Sequence, residues 1–205
     1  MTTRLGQRRF QAVVVGVSTG GMQALKLLLG QLPADFPLPL VIVQHINPES
    51  DDSLARLLDE LCGIRVKEAD DQEQILPGTA YLAPPNYHLL LEQGGRLALS
   101  ADPPVSFARP SVDVLFETAA EAYGPELVGV VLTGANCDGS RGLKTLKAMG
   151  GMAIVQDPAD AEAPQMPSSA LAATVVDHVL SLADIASQLV RLATPAPQHG
   201  NRYAA

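Results

Sequence analysis

The sequence predicts a three-layer α/β domain: a doubly wound, mostly parallel sheet with an antiparallel hairpin insert at one edge. Three observations carry this. The apolar runs at 13–17, 40–43 and 127–132 each stop at a polar residue, Ser18, Gln44 and Thr133. A run that is apolar at every position reads as a strand buried on both faces, the signature of a parallel sheet. Segments with helical spacing alternate with such runs in the first third and again from about Val112, which predicts right-handed βαβ crossovers. The composition is 47% hydrophobic but only 4% aromatic with no Trp, so the core must be aliphatic.

Taken in order, the first strand (13–17) leads into a helix from about Gly21 to Gln31. The second ends at Gln44-His45. The next helix is announced by Glu49, Ser50, Asp51 and Asp52, residue types suited to a helix start, and continues through Leu54, Leu57, Leu58 and Leu61. The alternation then breaks. Pro77-Gly78 is a turn, Thr79–Ala83 and Tyr87–Glu92 read as strands, and Gly94-Gly95 turns the chain into Arg96–Ser100. This stretch is the expected hairpin insert. Ala101–Pro110 is a proline-rich surface loop. Ser111 is the expected N-cap of a helix from Val112 to about Tyr123. A strand at 127–132, a helix at 143–149 ended by Gly150-Gly151, a strand at 152–156 and an amphipathic helix at 182–192 complete the domain. The expected organisation is a flexible N-terminus at 1–9, one α/β catalytic domain at 10–193 and a disordered tail at 194–205.

Composition excludes several functions. A formal net charge of -8 argues against nucleic-acid binding, which needs a basic face. Arg4, Arg8 and Arg9 are too few to change that. No signal core and no membrane-spanning apolar run is present, so no membrane insertion is expected. Cys62 and Cys137 give neither a disulfide framework nor metal spacing, which fits a reducing, cytoplasmic location. No metal and no cofactor is called for.

The chemistry sits where strands end. In an open parallel sheet the carboxyl ends of the strands share one edge, and ligands bind there. Ser18 follows the first strand and begins a strand-to-helix turn, Ser18-Thr19-Gly20-Gly21. A serine there is held outward beside free backbone N–H groups, as a nucleophile requires. His45 ends the second strand, and Asp138 lies in the loop after the 127–132 run. Nucleophile, general base and orienting carboxylate are the parts of an acyl-transfer triad. Oxyanion donors are sought among Thr19, Gly20 and Gly21, or in the loop holding Ala135 and Asn136. Blander roles compete: Ser18 as a helix cap, His45 as a buried structural histidine, Asp138 as the cap of a helix near Gly139. His88 reads as structural or surface and remote from the edge, and His178 and His199 as surface positions. Cys137 reads as loop packing, and Asp113 as part of a helix start.

The motifs Gly16-Val17-Ser18-Thr19-Gly20-Gly21, Gln44-His45, Pro77-Gly78-Thr79-Ala80-Tyr81-Leu82-Ala83-Pro84, Arg109-Pro110-Ser111-Val112-Asp113-Val114-Leu115-Phe116 and Leu132-Thr133-Gly134 with Asp138-Gly139 occur in one order. In that order they resemble the catalytic domain of the bacterial chemoreceptor methylesterases, the CheB family, over about Val13 to Leu192. The resemblance implies hydrolysis of glutamate γ-methyl esters on receptor signalling helices with release of methanol, and deamidation of selected glutamines. By motif position it places the nucleophile on Ser18, the base on His45 and the acid on Asp138. The implied partners are methylated chemoreceptor helices. Two departures stand out. The family usually reads Gly-Met-Gly-x-Asp-Gly around the acid, where this chain has Gly134-Ala135-Asn136-Cys137-Asp138-Gly139. It usually has Gly-Met-Pro-Arg later, where this chain has Gln165-Met166-Pro167-Ser168. Typical members also carry an N-terminal receiver domain, for which these residues leave no room; the resemblance therefore implies either a piece of a longer protein or a stand-alone member without that switch.

Three other functions compete. A nucleotide-binding module would use the glycine-rich turn to hold phosphate, yet the turn is neither G-x-G-x-x-G nor a Walker loop. A degenerate relative would bind helices without hydrolysis. An esterase with a reshaped site would act on another acyl group.

Overall fold

The computed structural model describes residues 10–194. The expectations for 1–9 and for 195–205, His199 among them, lie outside that span. Within it, the apolar runs form the centre of a seven-stranded sheet in which every pairing is parallel. In chain order the strands are β1 (Ala12–Val17), β2 (Leu40–Gln44), β3 (Arg65–Glu68), β4 (Thr79–Leu82), β7 (Leu127–Val131), β8 (Met152–Gln156) and β9 (His178–Leu180). Their spatial order is β3-β4-β2-β1-β7-β8-β9. The four central strands β2, β1, β7 and β8 are buried at every position, which is why their sequences are apolar apart from the terminal Gln44 and Gln156, whose amides are hydrogen-bonded.

The helices form the two outer layers. Ala24, Leu25, Leu28 and Leu29 of α1 (Gly21–Gly30), Leu58 of α2 (Ser53–Leu61) and Ile185 and Leu189 of α6 (Leu182–Ala193) share one core with Val13, Val15 and Ile42. Leu115 and Phe116 of α3 (Val112–Tyr123), Leu143 and Leu146 of α4 (Ser140–Ala148) and Met166 and Ala170 of α5 (Gln165–Ala173) fill the other with Val14, Val41 and Val43. Alternate residues of each central strand therefore point into opposite cores. The sheet is doubly wound. The chain runs from β1 toward β2 on one side and from β7 toward β8 on the other, so a crevice opens between the carboxyl ends of β1 and β7.

The sequence reading differs from the structure in the middle of the chain. Thr79–Leu82 belongs to the main parallel sheet, wedged between β2 and β3, and is not a partner of the hairpin. The hairpin is β5 (His88–Glu92) and β6 (Arg96–Ser100) alone, an antiparallel sheet of its own. Gly94 and Gly95 turn it with φ of 78° and 81°, a geometry that excludes most side chains. Leu89, Leu91 and Leu97 bury into the α3-side core. Three short elements escaped the reading for physical reasons. In β3 only Val66 is buried, as suits a polar edge strand. Strand β9 has three residues, also at an edge. Helix α5 holds Pro167 in its first turn, where a missing N–H costs nothing.

Candidate active site

The register of β1 and β2 pairs Val17 with Gln44, so Ser18 and His45 leave adjacent strands side by side. Neighbouring strands lie about 4.8 Å apart, which sets the spacing of the two residues. The His45 N–H donates to the Val17 carbonyl at 3.2 Å. Ser18 is fixed through its backbone: its N–H donates to Thr133 O at 2.9 Å, and its carbonyl accepts from Gly21 N–H at 2.8 Å and Gln44 Nε2 at 3.0 Å. The Gln44 amide also donates to His45 O at 2.8 Å, so one buried side chain ties the two strand ends together. The sequence motif contains Gln44, but nothing local signals this bridging role.

Gly21 is required for that bridge. A Cβ there would lie 1.7 Å from Gln44 Oε1. Gly21→Ala is expected to expel the Gln44 amide and destabilise the fold by about 1–3 kcal/mol, as overpacking does. Ser18 reactivity should fall about tenfold or more as its turn shifts. Thermal melts and rates of labelling by a serine-directed probe check both. Unchanged values would mean that Gln44 is dispensable.

Asp138 is buried, with its side chain 1% exposed. Its carboxylate gathers five donors. Oδ1 accepts from Ser111 Oγ at 2.9 Å and from the N–H groups of Asp113 and Gly139, each at 3.0 Å. Oδ2 accepts from Val112 N–H at 2.7 Å and from His45 Nε2 at 2.9 Å. Asp138 therefore caps α3, not α4, the helix that starts just beyond Gly139. Ser111 occupies the N-cap position of α3 but its side chain does not cap; it donates to Asp138 instead. Burial alone would push the Asp138 carboxyl up. The bonds from His45, Asp113 N–H and Val112 N–H outweigh it and hold the carboxyl below its ordinary value.

His45 thus presents Nε2 to the carboxylate. In the serine-protease arrangement the carboxylate takes Nδ1–H and the hydroxyl faces Nε2; here the ring is reversed. Nδ1 faces the side-chain amide of Asn136, with Nδ2 3.1 Å away. The Ser18 hydroxyl makes no hydrogen bond to His45 among the described residues.

The oxyanion candidates divide. The Gly21 N–H is spent on Ser18 O, so Gly21 is corrected out of that set. The N–H groups of Thr19, Gly20, Ala135 and Asn136 carry no hydrogen bond among the described residues. Thr19 O accepts from Thr133 Oγ1 at 2.9 Å, which joins the Ser18 turn to the loop after β7.

His88 is structural, as read, but it is not remote. It is buried, accepts Ser111 N–H at Nδ1 (3.2 Å) and bonds Pro103 O through Nε2 (3.2 Å). It therefore anchors the loop that carries Ser111 to Asp138. Cys137 is exposed.

Asp113 is buried, and its Oδ1 accepts Gly142 N–H at 2.8 Å, which joins α3 to α4. Burial pushes its carboxyl up from the ordinary value, the Gly142 bond opposes that, and the Asp138 charge adds to the rise. A raised carboxyl gives stability that is full below the unfolded value, about 3.9, and is lost as pH rises through the folded value. Asp113→Asn keeps an oxygen for Gly142 and removes the charge. Its melting temperature is expected above the parent's at pH 7, with the gap closing below about pH 4. A lower midpoint at pH 7 would show that the charge itself is needed.

The doubly wound sheet thus brings a serine, a histidine and a buried aspartate to one strand-end edge. The match to the CheB methylesterase family model spans residues 13–189, and the chain belongs to that family. A relative from Leptospira interrogans, provisionally named protein-glutamate methylesterase/protein-glutamine glutaminase, is 53% identical over 183 residues, 89% of this chain and 95% of the relative. The protein-glutamate methylesterase/protein-glutamine glutaminase of Trichodesmium erythraeum is 41% identical over 193 residues, 93% of this chain but 55% of the relative. The chain thus spans nearly all of the first and about half of the second. The crystal structure of the Thermotoga maritima CheB methylesterase catalytic domain superposes with a TM-score of 0.85 at 37% identity, covering 89% of this chain and 98% of that one. Among the described residues no helix is long and apolar enough to cross a membrane.

Proposed function

We propose that residues 10–193 form a serine esterase that hydrolyses glutamate γ-methyl esters on chemoreceptor signalling helices and deamidates glutamines in the same segments. The observation that carries the reading is the 2.9 Å bond between His45 Nε2 and buried Asp138, made beside Ser18 at the β1/β7 crevice in a chain of this family. His45 Nδ1 takes the Ser18 proton as Oγ attacks the ester carbonyl. The oxyanion is received by free N–H groups, with Thr19 and Gly20 on one side and Ala135 and Asn136 on the other. The tetrahedral intermediate collapses as the carbon–methoxy bond breaks, and His45 returns the proton to methoxide, giving methanol. Water then cleaves the acyl-serine by the same route. Asp138 holds the ring in one tautomer and stabilises the imidazolium. The substrate helices are cytoplasmic, and so is the enzyme in this reading.

The test is methanol release from a methylated chemoreceptor fragment, with a known methylesterase as control. Release at a rate proportional to protein concentration supports the reading. No release, with Ser18 still labelled by a fluorophosphonate, would point to another acyl substrate. No release and no labelling would leave a helix-binding relative without hydrolysis.

A further inference from the structure

One ring nitrogen of His45 is held by Asp138, and Asn136 caps the other. We propose that Asn136 is a built-in brake: its side-chain amide occupies the His45 nitrogen that must accept the Ser18 proton, and it swings away before attack. This inference rests on the serine-esterase reading.

The orientation of the amide follows from its two bonds. Asn136 Oδ1 accepts Asp138 N–H at 3.0 Å. The end turned to His45 Nδ1, 3.1 Å away, is therefore the amino group, which can only donate. A donor there requires a bare lone pair on Nδ1. On the far side of the ring the Asp138 carboxylate, which can only accept, requires a proton on Nε2. Both neighbours select one tautomer, the one a base needs. Yet the bare lone pair is already in use. The Ser18 hydroxyl would have to donate into that same lone pair, and it makes no bond to His45.

The conflict sharpens as the reaction proceeds. Once Nδ1 has taken the serine proton, two N–H donors face each other across the former bond. Asn136 must then be elsewhere. Its surroundings allow this: it is half-buried, and Ala135 and Cys137 on either side are exposed.

The decisive experiment compares the intact chain with Asn136→Gly and Asn136→Ala. It reads the second-order rate of fluorophosphonate labelling at Ser18 and the 15N resonances of His45. Both variants are expected to label about three- to tenfold faster, the effect of releasing one hydrogen bond of ordinary net strength. The Nδ1 resonance should move as its hydrogen bond is lost. A merely structural role predicts the opposite sign, because losing the Oδ1 bond to Asp138 N–H would loosen Asp138 and slow labelling. Folded variants that label at the parent's rate or more slowly would overturn the brake and leave the esterase reading intact. No labelling in any form, with the Nδ1 resonance still moving, would mean that the esterase reading has failed and the brake with it. Should neither variant fold, the parent's own spectrum decides: absence of the Nε2–H tautomer overturns the proposal, and its presence with Nδ1 shifted by the Asn136 bond supports it.

Discussion

Ser18→Ala is expected to lower methanol release at least a thousandfold while leaving the fold untouched. In the proposed mechanism the rate effect follows from removing the nucleophile that forms the acyl-enzyme; residual turnover would come from binding and oxyanion donors alone. The stability expectation follows from how Ser18 is held. Its N–H bonds Thr133 O, and its carbonyl accepts from Gly21 and Gln44. Alanine keeps all three bonds. The hydroxyl has no protein partner among the described residues, so the substitution should change stability by less than about 0.5 kcal/mol. The pairing of a dead enzyme with an unchanged melt is the informative result. Undiminished release from the variant would remove Ser18 from the chemistry. A collapsed melt would show that its hydroxyl serves the fold.

Asp138→Asn is the second large effect, and it strikes activity and stability together. For activity, an amide in place of the carboxylate can turn its amino group toward His45 Nε2 and favour the wrong tautomer; in triads of this kind the change costs about 10⁴ in rate. For stability, the five donors converging on Asp138 need an acceptor on each oxygen. Asparagine supplies one oxygen only. Either Val112 N–H and His45 Nε2–H, or the donors on the other side, then meet an amino group. Loss of a cap at α3 costs about 0.5–2 kcal/mol, and an unsatisfied buried donor about 1–3 kcal/mol more. In a domain of this size that lowers the melting temperature by roughly 5–15 °C. The acid limb should change as well. The folded-state carboxyl is held below its ordinary value, so its contribution is full above about pH 4 and is lost as pH falls through the folded value. The variant's stability should therefore fall less steeply in acid than the parent's. A melt like the parent's at pH 7 would show that Asp138 is not the cap of α3. A normal rate would show that Asp138 does not orient His45 for the reaction.

The two substitutions separate what Ser18 and Asp138 contribute. Ser18 sits on a turn built by backbone and Gln44, so its side chain is free for chemistry. Asp138 is part of the architecture: α3, the Ser111 loop, the start of α4 and His45 all meet at one carboxylate. Its placement is stiff because the fold depends on it, and a stiff carboxylate is what orients an imidazole.

What could be read from the chain alone was whatever local pattern controls. The all-apolar runs marked β1, β2, β7 and β8, because a strand covered on both faces has no polar position to spare. Their ends marked Ser18 and His45, because parallel strands place those ends on one edge. The helix from Val112 to Tyr123 was legible from Ser111 at its start, although that side chain turns out to donate to Asp138 and not to cap. Tertiary structure decided everything set by contacts between distant segments. Thr79–Leu82 looks like a hairpin strand locally, yet it completes the main sheet between β2 and β3. Asp138 precedes one helix in sequence, but its carboxylate caps another that starts 26 residues earlier. Which nitrogen of His45 meets the carboxylate, and that Asn136 caps the other, depends on side-chain directions that no spacing encodes. Gln44 looks like one more residue of a buried strand and proves to be the tie between Ser18 and His45. Local chemistry chose the elements and the strand ends. Long-range hydrogen bonds, formed only after the sheet closes, chose how the side chains at those ends face one another.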